Sequence, residues 1–394
     1  MWQHCGIMLK KCKFVGEFIM KRIYFDLGVF TYWSEDSLDN RRLISKSGII
    51  ISDESAVNEV KEHEEVDQDI VEILQSLHEQ GFNLNICDSA SVDEIKQVIK
   101  HYEISGYFDQ IVSTTKVSAM AKTLTKLRAK DDFFIFVGTN EICVDAMAMC
   151  QIPVVAYGEK MPEILPKAFC KATYPLEIED QVLTCHVIHS LAKKAIETKA
   201  KIMGIDGIDF AGKKVFASKL GQYLEMLGKE YQIVHLEDYH RAVEESYKGE
   251  DPVEAFYFNG FNNDKLIDEV LNPYKKNGSI DKIVYCLDNS GEAFVNERHY
   301  QLSQDGLMII IGCMMYREPL IRFFDMTVFM KVDYRESEHR ASLVEAPIYG
   351  IDPVELYRTK NIPAQKMYVQ RHDPYENRDF VVDNSNFHRP LLVE

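Results

Sequence analysis

The chain is 394 residues long, 46% hydrophobic and carries a formal charge of −17, a length beyond what one hydrophobic core usually serves and one that predicts two domains. With no compensating block of Lys or Arg, so acidic a chain excludes a nucleic-acid backbone or an anionic membrane as its main partner, whereas small anions held by backbone N–H groups and single cations remain open. No run of about 18 apolar residues is present to span a bilayer, and nine cysteines scattered without CxxC spacing read as reduced, buried thiols of a cytoplasmic protein.

In chain order, residues 1–19 mix Lys10, Lys11 and Lys13 with short apolar runs and no small-residue cleavage site. They read as a disordered extension rather than a secretory signal, with Met20 opening the folded part. Strands are predicted at Arg22–Phe25, Asn83–Cys87, Gln110–Val112, Phe133–Val137 and Val154–Ala156. Helices fall between them, at Asp67–Gln80, where Ile70, Ile73, Leu74 and Leu77 repeat at helical spacing, and at Val92–His101. The span from Ile164 to Glu177 contains Pro166 and Pro175 and breaks the pattern. A helix from Ile178 to about Ala200 then leads to strands predicted at Ile202–Ile205, Gln232–His235, Lys282–Leu287, Leu307–Ile311 and Thr327–Val332. Short β-rich runs alternating with helices predict an α/β protein of two doubly wound domains, residues 20–178 and 201–394, joined by a linker helix over 179–200. There is no internal repeat and no low-complexity tract.

In the first half, the phrases Ile23-Tyr24-Phe25-Asp26-Leu27-Gly28, Gly106-Tyr107-Phe108-Asp109-Gln110 and Phe136-Val137-Gly138-Thr139, in this succession, resemble the haloacid dehalogenase superfamily over roughly residues 21–159. The resemblance implies a Rossmannoid domain in which a strand-end Asp attacks a phosphate, an Asp two positions on is acid and base, Ser/Thr and Lys hold the phosphate, and further acids hold Mg²⁺. Asp26 stands at the nucleophile position, but the proton donor is replaced by Gly28, the Ser/Thr by Asp88, and the Mg²⁺-side acids by Thr139 and Cys143. Lys116 and Lys122 are both candidates for the phosphate-holding Lys. A polar residue closing a strand end is the simpler account of Asp26, and phosphatase activity is not expected. Residues 31–66 leave room only for a minimal cap.

The sharpest local signal is Gly207-Ile208-Asp209-Phe210-Ala211-Gly212-Lys213-Lys214. It follows an apolar strand and precedes a helical run, the setting in which Gly-x-x-x-x-Gly-Lys cradles phosphates on backbone N–H groups and a helix N-terminus. Gly207, Gly212 and Lys213 are thereby assigned to nucleotide binding. The Ser or Thr whose hydroxyl would ligate Mg²⁺ is Lys214, so either Mg²⁺ is held otherwise, or Lys214 supplies charge in its place, or turnover is lost. A glycine-rich turn without a ligand is the competing account.

Four further passages, Val234-His235-Leu236-Glu237-Asp238-Tyr239-His240, Phe256 to Asn262, Tyr316-Arg317-Glu318-Pro319-Leu320 with Phe324-Asp325, and Ile362-Pro363-Ala364-Gln365-Lys366-Met367-Tyr368 running on to Asp383-Asn384, resemble the uridine kinase and phosphoribulokinase family of P-loop kinases. The resemblance implies ATP as cofactor, Glu237 or Asp238 as the base that takes the substrate hydroxyl's proton, and Arg340 as a basic lid residue over the phosphates. Helix capping by Glu237 and Asp238, and a solvated helix position for Arg340, are the plain alternatives. Asn262 stands where the family carries an Asp, Ile311 where it carries an acid before Gly312, and Leu343-Val344 where an Arg-Asp pair is common. The expectation is a uridine-kinase-like, ATP-binding protein fused to an inactive phosphatase-like domain. It would be a degenerate regulatory or binding member of its family that takes a nucleotide and a small-molecule ligand, and forms a homo-oligomer or a complex with an active relative. The alternative is an active ATP-dependent kinase for a nucleoside or other small hydroxylated metabolite.

Overall fold

The computed structural model describes residues 20–30, 32–33, 43–44, 50–51, 68–128, 133–157, 165–242, 251–287, 293–344 and 352–393. The extension expected at 1–19 lies outside them, as does most of the 31–66 span. From that span only the two-residue strands Tyr32–Trp33, Leu43–Ile44 and Ile50–Ile51 are described, paired antiparallel. The chain forms two compact units, Met1–Ile152 and Pro153–Glu394, each built on parallel strands, and the α/β class is as expected.

In the first unit, β1 (Lys21–Phe25), β2 (Asn83–Asp88), β3 (Phe108–Ser113) and β4 (Phe133–Val137) run parallel in the order β3-β2-β1-β4. β1, the first strand in sequence, lies inside the sheet, so the strand order reverses at its C-terminal end, where α/β sheets open a crevice. Helix α1 (Gln68–Glu79) buries the predicted Ile70, Ile73, Leu74 and Leu77. Helix α2 (Val92–His101) starts on a capping box between Ser91 and Glu94. Helices α3 (Val117–Leu127) and α4 (Glu141–Met149) complete the βα alternation.

In the second unit, β5 (Val154–Tyr157) pairs in parallel with β6 (Cys170–Ala172). The latter is a strand within the stretch read as patternless. Helix α5 (Pro175–Glu197) follows, and Pro175 is its first-turn residue rather than a breaker, because that position has no N–H to lose. The main sheet contains β7 (Ile202–Gly207), β8 (Tyr231–His235), β11 (Leu307–Gly312), β12 (Met326–Lys331), β13 (Phe380–Asp383) and β14 (Leu391–Val393). Their order is β8-β11-β7-β12-β13-β14, antiparallel only at the last pair. Its central strands are apolar without alternation because both faces are covered. Ile202, Met308, Ile310 and Phe329 enter one core, while Met203, Ile205, Ile309 and Val328 enter the other, packed by α5 and by α6 (Lys213–Met226).

The segment predicted at Lys282–Leu287 is not a strand of this sheet. As β9 (Ile280–Leu287) it pairs antiparallel with β10 (Phe294–Leu302) in a separate hairpin, and its alternation of buried Ile280, Val284 and Cys286 with exposed Ile283 and Tyr285 is that of a half-buried ladder. Helices α7 (Pro252–Asn259), α8 (Tyr334–Val344) and α9 (Ile362–His372) are among the helices of this unit. No helix among the described residues is long and apolar enough to cross a membrane.

Candidate functional site

The loop between β7 and α6 follows the central strand of the second unit. Gly207 ends β7 so close to β12 that a Cβ would lie 2.5 Å from the Met330 carbonyl oxygen. Gly212 sits at φ 86°, and a Cβ there would meet the Asn384 amide at 2.6 Å. Lys213 opens α6, is buried, and donates to the carbonyl oxygens of Gly207 at 2.9 Å and Ile208 at 2.6 Å. No side chain caps this helix, and its first turn carries two lysines and no acid. Cations at the positive end of a helix are electrostatically unfavourable unless an anion joins them. Gly212, Lys213, Lys214 and Arg340 border a cavity of about 870 Å³ whose walls include Phe210, Phe261 and Phe387.

The C-terminal tail, recognised in sequence only as a pattern, fixes this loop. Gln365 donates to Asp209 Oδ2 at 2.6 Å and accepts from the Asp209 N–H at 3.2 Å. Asn361 donates to the same carboxylate at 3.2 Å, and Asn384 donates to the Ala211 carbonyl at 2.7 Å. Tyr368 donates to Asp206 Oδ2 at 2.5 Å, a wholly buried carboxyl that also accepts from the N–H groups of Gly207, Met315 and Tyr316. Burial raises the Asp206 pKa in spite of these donors. Arg340 spans α8 and the tail, donating to the carbonyls of Asn384 at 2.8 Å and Ser385 at 2.9 Å, and to Glu336 at 2.8 Å. Its guanidinium thus ties backbone together at the cavity wall. Removing the Tyr368 hydroxyl with Tyr368→Phe leaves Asp206 one donor short, and chemical denaturation is expected to show a loss of about 1–3 kcal/mol.

The acidic pair after β8 divides its roles. Both residues lie in the 3₁₀ turn Leu236–Tyr239, which points successive side chains about a third of a turn apart. Glu237 borders the cavity, and its Oε2 lies 2.5 Å from Lys214 Nζ. Burial pushes this carboxyl up, but the Lys214 ammonium outweighs it and holds the pKa below the usual value. Asp238 faces the hairpin instead, accepting from Arg298 Nε at 3.2 Å and Tyr300 OH at 3.0 Å. The predicted pair is therefore not one site.

Asn262 caps the helical turn after it by accepting from Lys265 N–H at 3.1 Å, and Ile311 is a buried core aliphatic paired in register with Ile205. Of the cavity carboxylates, Glu237 is paired with Lys214, Glu336 with Arg340, and Asp209 is held by Gln365 and Asn361. Among the described residues no cluster of His, Cys, Asp and Glu able to hold a metal ion is present. Sequence reasoning missed Asp209, Asn361, Tyr357 and Phe387 as wall residues. Only Asp209, inside the motif, and Asn361, beside Ile362-Pro363, carried any local signal.

In the first unit, Asp26 follows β1 and is wholly buried. Its Oδ2 accepts from the N–H groups of Thr139 at 2.6 Å and Asn140 at 2.5 Å, whereas Oδ1 has no hydrogen-bond partner among the described residues. Asp88 closes the neighbouring strand end, accepting from Leu27 N–H at 2.9 Å and Ala90 N–H at 2.8 Å. Gly28 lies in the short 3₁₀ turn after Asp26, and the Cys143 thiol is buried and donates to the Cys87 carbonyl at 3.3 Å. Lys116 and Lys122 are exposed, at the start and in the second turn of α3. Two carboxylates here clasp strand ends.

Burial, and then the nearby Asp88, push the Asp26 pKa up from 3.8 to about 7. The stability this residue allows is complete below the unfolded value of 3.8 and is lost as pH rises through about 7. Asp26→Asn, which keeps the acceptor without the charge, is expected to raise the unfolding temperature of the first unit by roughly 10 °C at pH 8, by less at pH 5, and not at all below the unfolded value of 3.8, where the carboxyl is neutral in both states.

The haloacid dehalogenase-like hydrolase family matches residues 37–156. No curated protein sequence matches the chain. Among solved structures, a protein described as a possible uridine kinase from Bacillus stearothermophilus is 20% identical over 49% of this chain and 96% of its own, at a TM-score of 0.40. D-glycerate 3-kinase from Cryptococcus neoformans is 12% identical over 50% and 95%, at 0.38. A haloacid dehalogenase-like family hydrolase from Streptococcus pneumoniae is 16% identical over 40% and 96%, at 0.30.

Proposed function

We propose that the second unit is a nucleotide-binding module that holds the phosphates of ATP with fixed lysine charge, and that the protein acts by binding rather than by turnover. The observation that carries this reading is the Lys214–Glu237 ion pair at 2.5 Å on the cavity wall. One substitution puts a permanent cation at the head of α6 and occupies the carboxylate that would otherwise take a proton from an acceptor hydroxyl. Phosphates would lie against the loop N–H groups, Lys213 and Lys214, and the aromatic walls would cover the rest of the nucleotide. The first unit, with Asp26 and Asp88 committed to backbone N–H groups, is read as a scaffold without phosphatase activity. A regulatory role in the cytoplasm, alone or with an active relative, fits a module that binds without consuming.

Glu237 still borders the cavity, and this favours a second reading as a weak kinase of a small hydroxylated metabolite. ADP release from ATP over a panel of nucleosides and sugars, with hydrolysis of an aryl phosphate measured in parallel, separates the two. The binding reading predicts neither activity. Acceptor-dependent ADP release abolished by Glu237→Gln establishes the kinase, and aryl phosphate turnover abolished by Asp26→Asn overturns the scaffold role of the first unit.

A further inference from the structure

A second cavity of about 540 Å³ lies in the same unit, bordered by Tyr257, Phe258, Arg317, Arg371 and His372. Two guanidiniums converge on one ring, that of Arg317 4.4 Å and that of Arg371 5.2 Å from the centroid of Tyr257. Arg317 is held rigidly, donating through Nε to the Met314 carbonyl at 3.1 Å and through Nη2 to the Tyr257 carbonyl at 2.7 Å. Among the described residues no carboxylate pairs with Arg317 or Arg371, although Asp264, Glu318 and a third arginine, Arg241, also line the cavity. Burial, and then Arg317 and Arg371, hold the His372 imidazole below its usual pKa. His372 is oriented by the Tyr257 hydroxyl at 2.8 Å. Beside this cluster, Phe258 is 59% exposed and lies 5.8 Å from the Arg371 guanidinium. Two like charges brought together without a counterion, in a chain of formal charge −17, have a reason to persist when a ligand supplies that counterion. The exposed ring supplies a face for an apolar, planar portion of it.

We propose that this cleft is a binding site for a small organic anion, a carboxylate or phosphate group borne on a planar ring, with Arg317 and Arg371 receiving the anion and Phe258 the ring. It is a second cleft that shares the Phe261 wall with the nucleotide cavity, and the proposal does not rest on nucleotide binding there.

The test is calorimetric titration of the full chain with phenylphosphonate and with benzoate, with benzyl alcohol as the neutral control. Saturable one-to-one binding of at least one anion is expected, and the tighter of the two names the anionic group. Benzyl alcohol should not bind. Arg371→Gln, on the exposed end of α9, should weaken the anion by about tenfold or more at unchanged melting temperature. Phe258→Ala should weaken it less, and Lys213→Ala not at all. The proposal is overturned if neither anion saturates, if benzyl alcohol binds equally well, if Arg371→Gln leaves the affinity unchanged, or if ATP competes the anion away, which would assign it to the P-loop cavity.

Discussion

Replacing Lys213 with alanine is expected to weaken ATP binding about tenfold to a hundredfold, the equivalent of roughly 1.5–3 kcal/mol for a hydrogen bond to a charged group. The buried ammonium donates to the carbonyls of Gly207 and Ile208, so it lies within the turn that phosphates would enter and can exchange those carbonyls for phosphate oxygens. The same bonds mean that the variant also loosens the loop. A melting curve distinguishes the two effects, since a lower affinity at similar melting temperature is a lost ligand contact. Unchanged affinity would favour a glycine turn without a ligand.

Changing Lys214 to serine is expected to convert nucleotide binding from nearly Mg²⁺-independent to Mg²⁺-dependent, with affinity about tenfold higher in the presence of the ion than in its absence. The substitution removes a fixed cation from the head of α6, restores a hydroxyl at the position where P-loops recruit the metal, and releases Glu237 from its ion pair. Turnover need not return, because Ile311 is packed in the core and Asn262 is spent on a helix cap. An ammonium attracts phosphates without imposing the bridging geometry of a divalent ion. Equal Mg²⁺ response in wild type and variant would show that Lys214 does not take the metal's place.

The architecture was legible wherever burial on both faces left a mark. The apolar runs at Phe133–Val137, Leu307–Ile311 and Thr327–Val332 became sheet strands because strands covered on both sides cannot alternate. The Lys282–Leu287 run looked the same yet belongs to a hairpin, since a short apolar segment does not state its partner. Pro175 was misread because a helix start and a helix break use the same residue.

At the site, the glycines and Lys213 were readable from spacing, whereas the separation of Glu237 from Asp238 depends on the rotation of one 3₁₀ turn. The tail showed a pattern with no visible cause. Its cause is contact across more than a hundred and fifty residues, as between Gln365 and Asp209, and such contacts have no local signature.

The central claim is that lysine charge, rather than a metal ion, holds the nucleotide. Titrating the full chain with ATP by calorimetry, in excess Mg²⁺ and again in chelator, tests it most directly. The account predicts saturable binding in both, with affinities within about threefold, a difference under about 1 kcal/mol. Binding that appears only with Mg²⁺, or in neither condition, would contradict it.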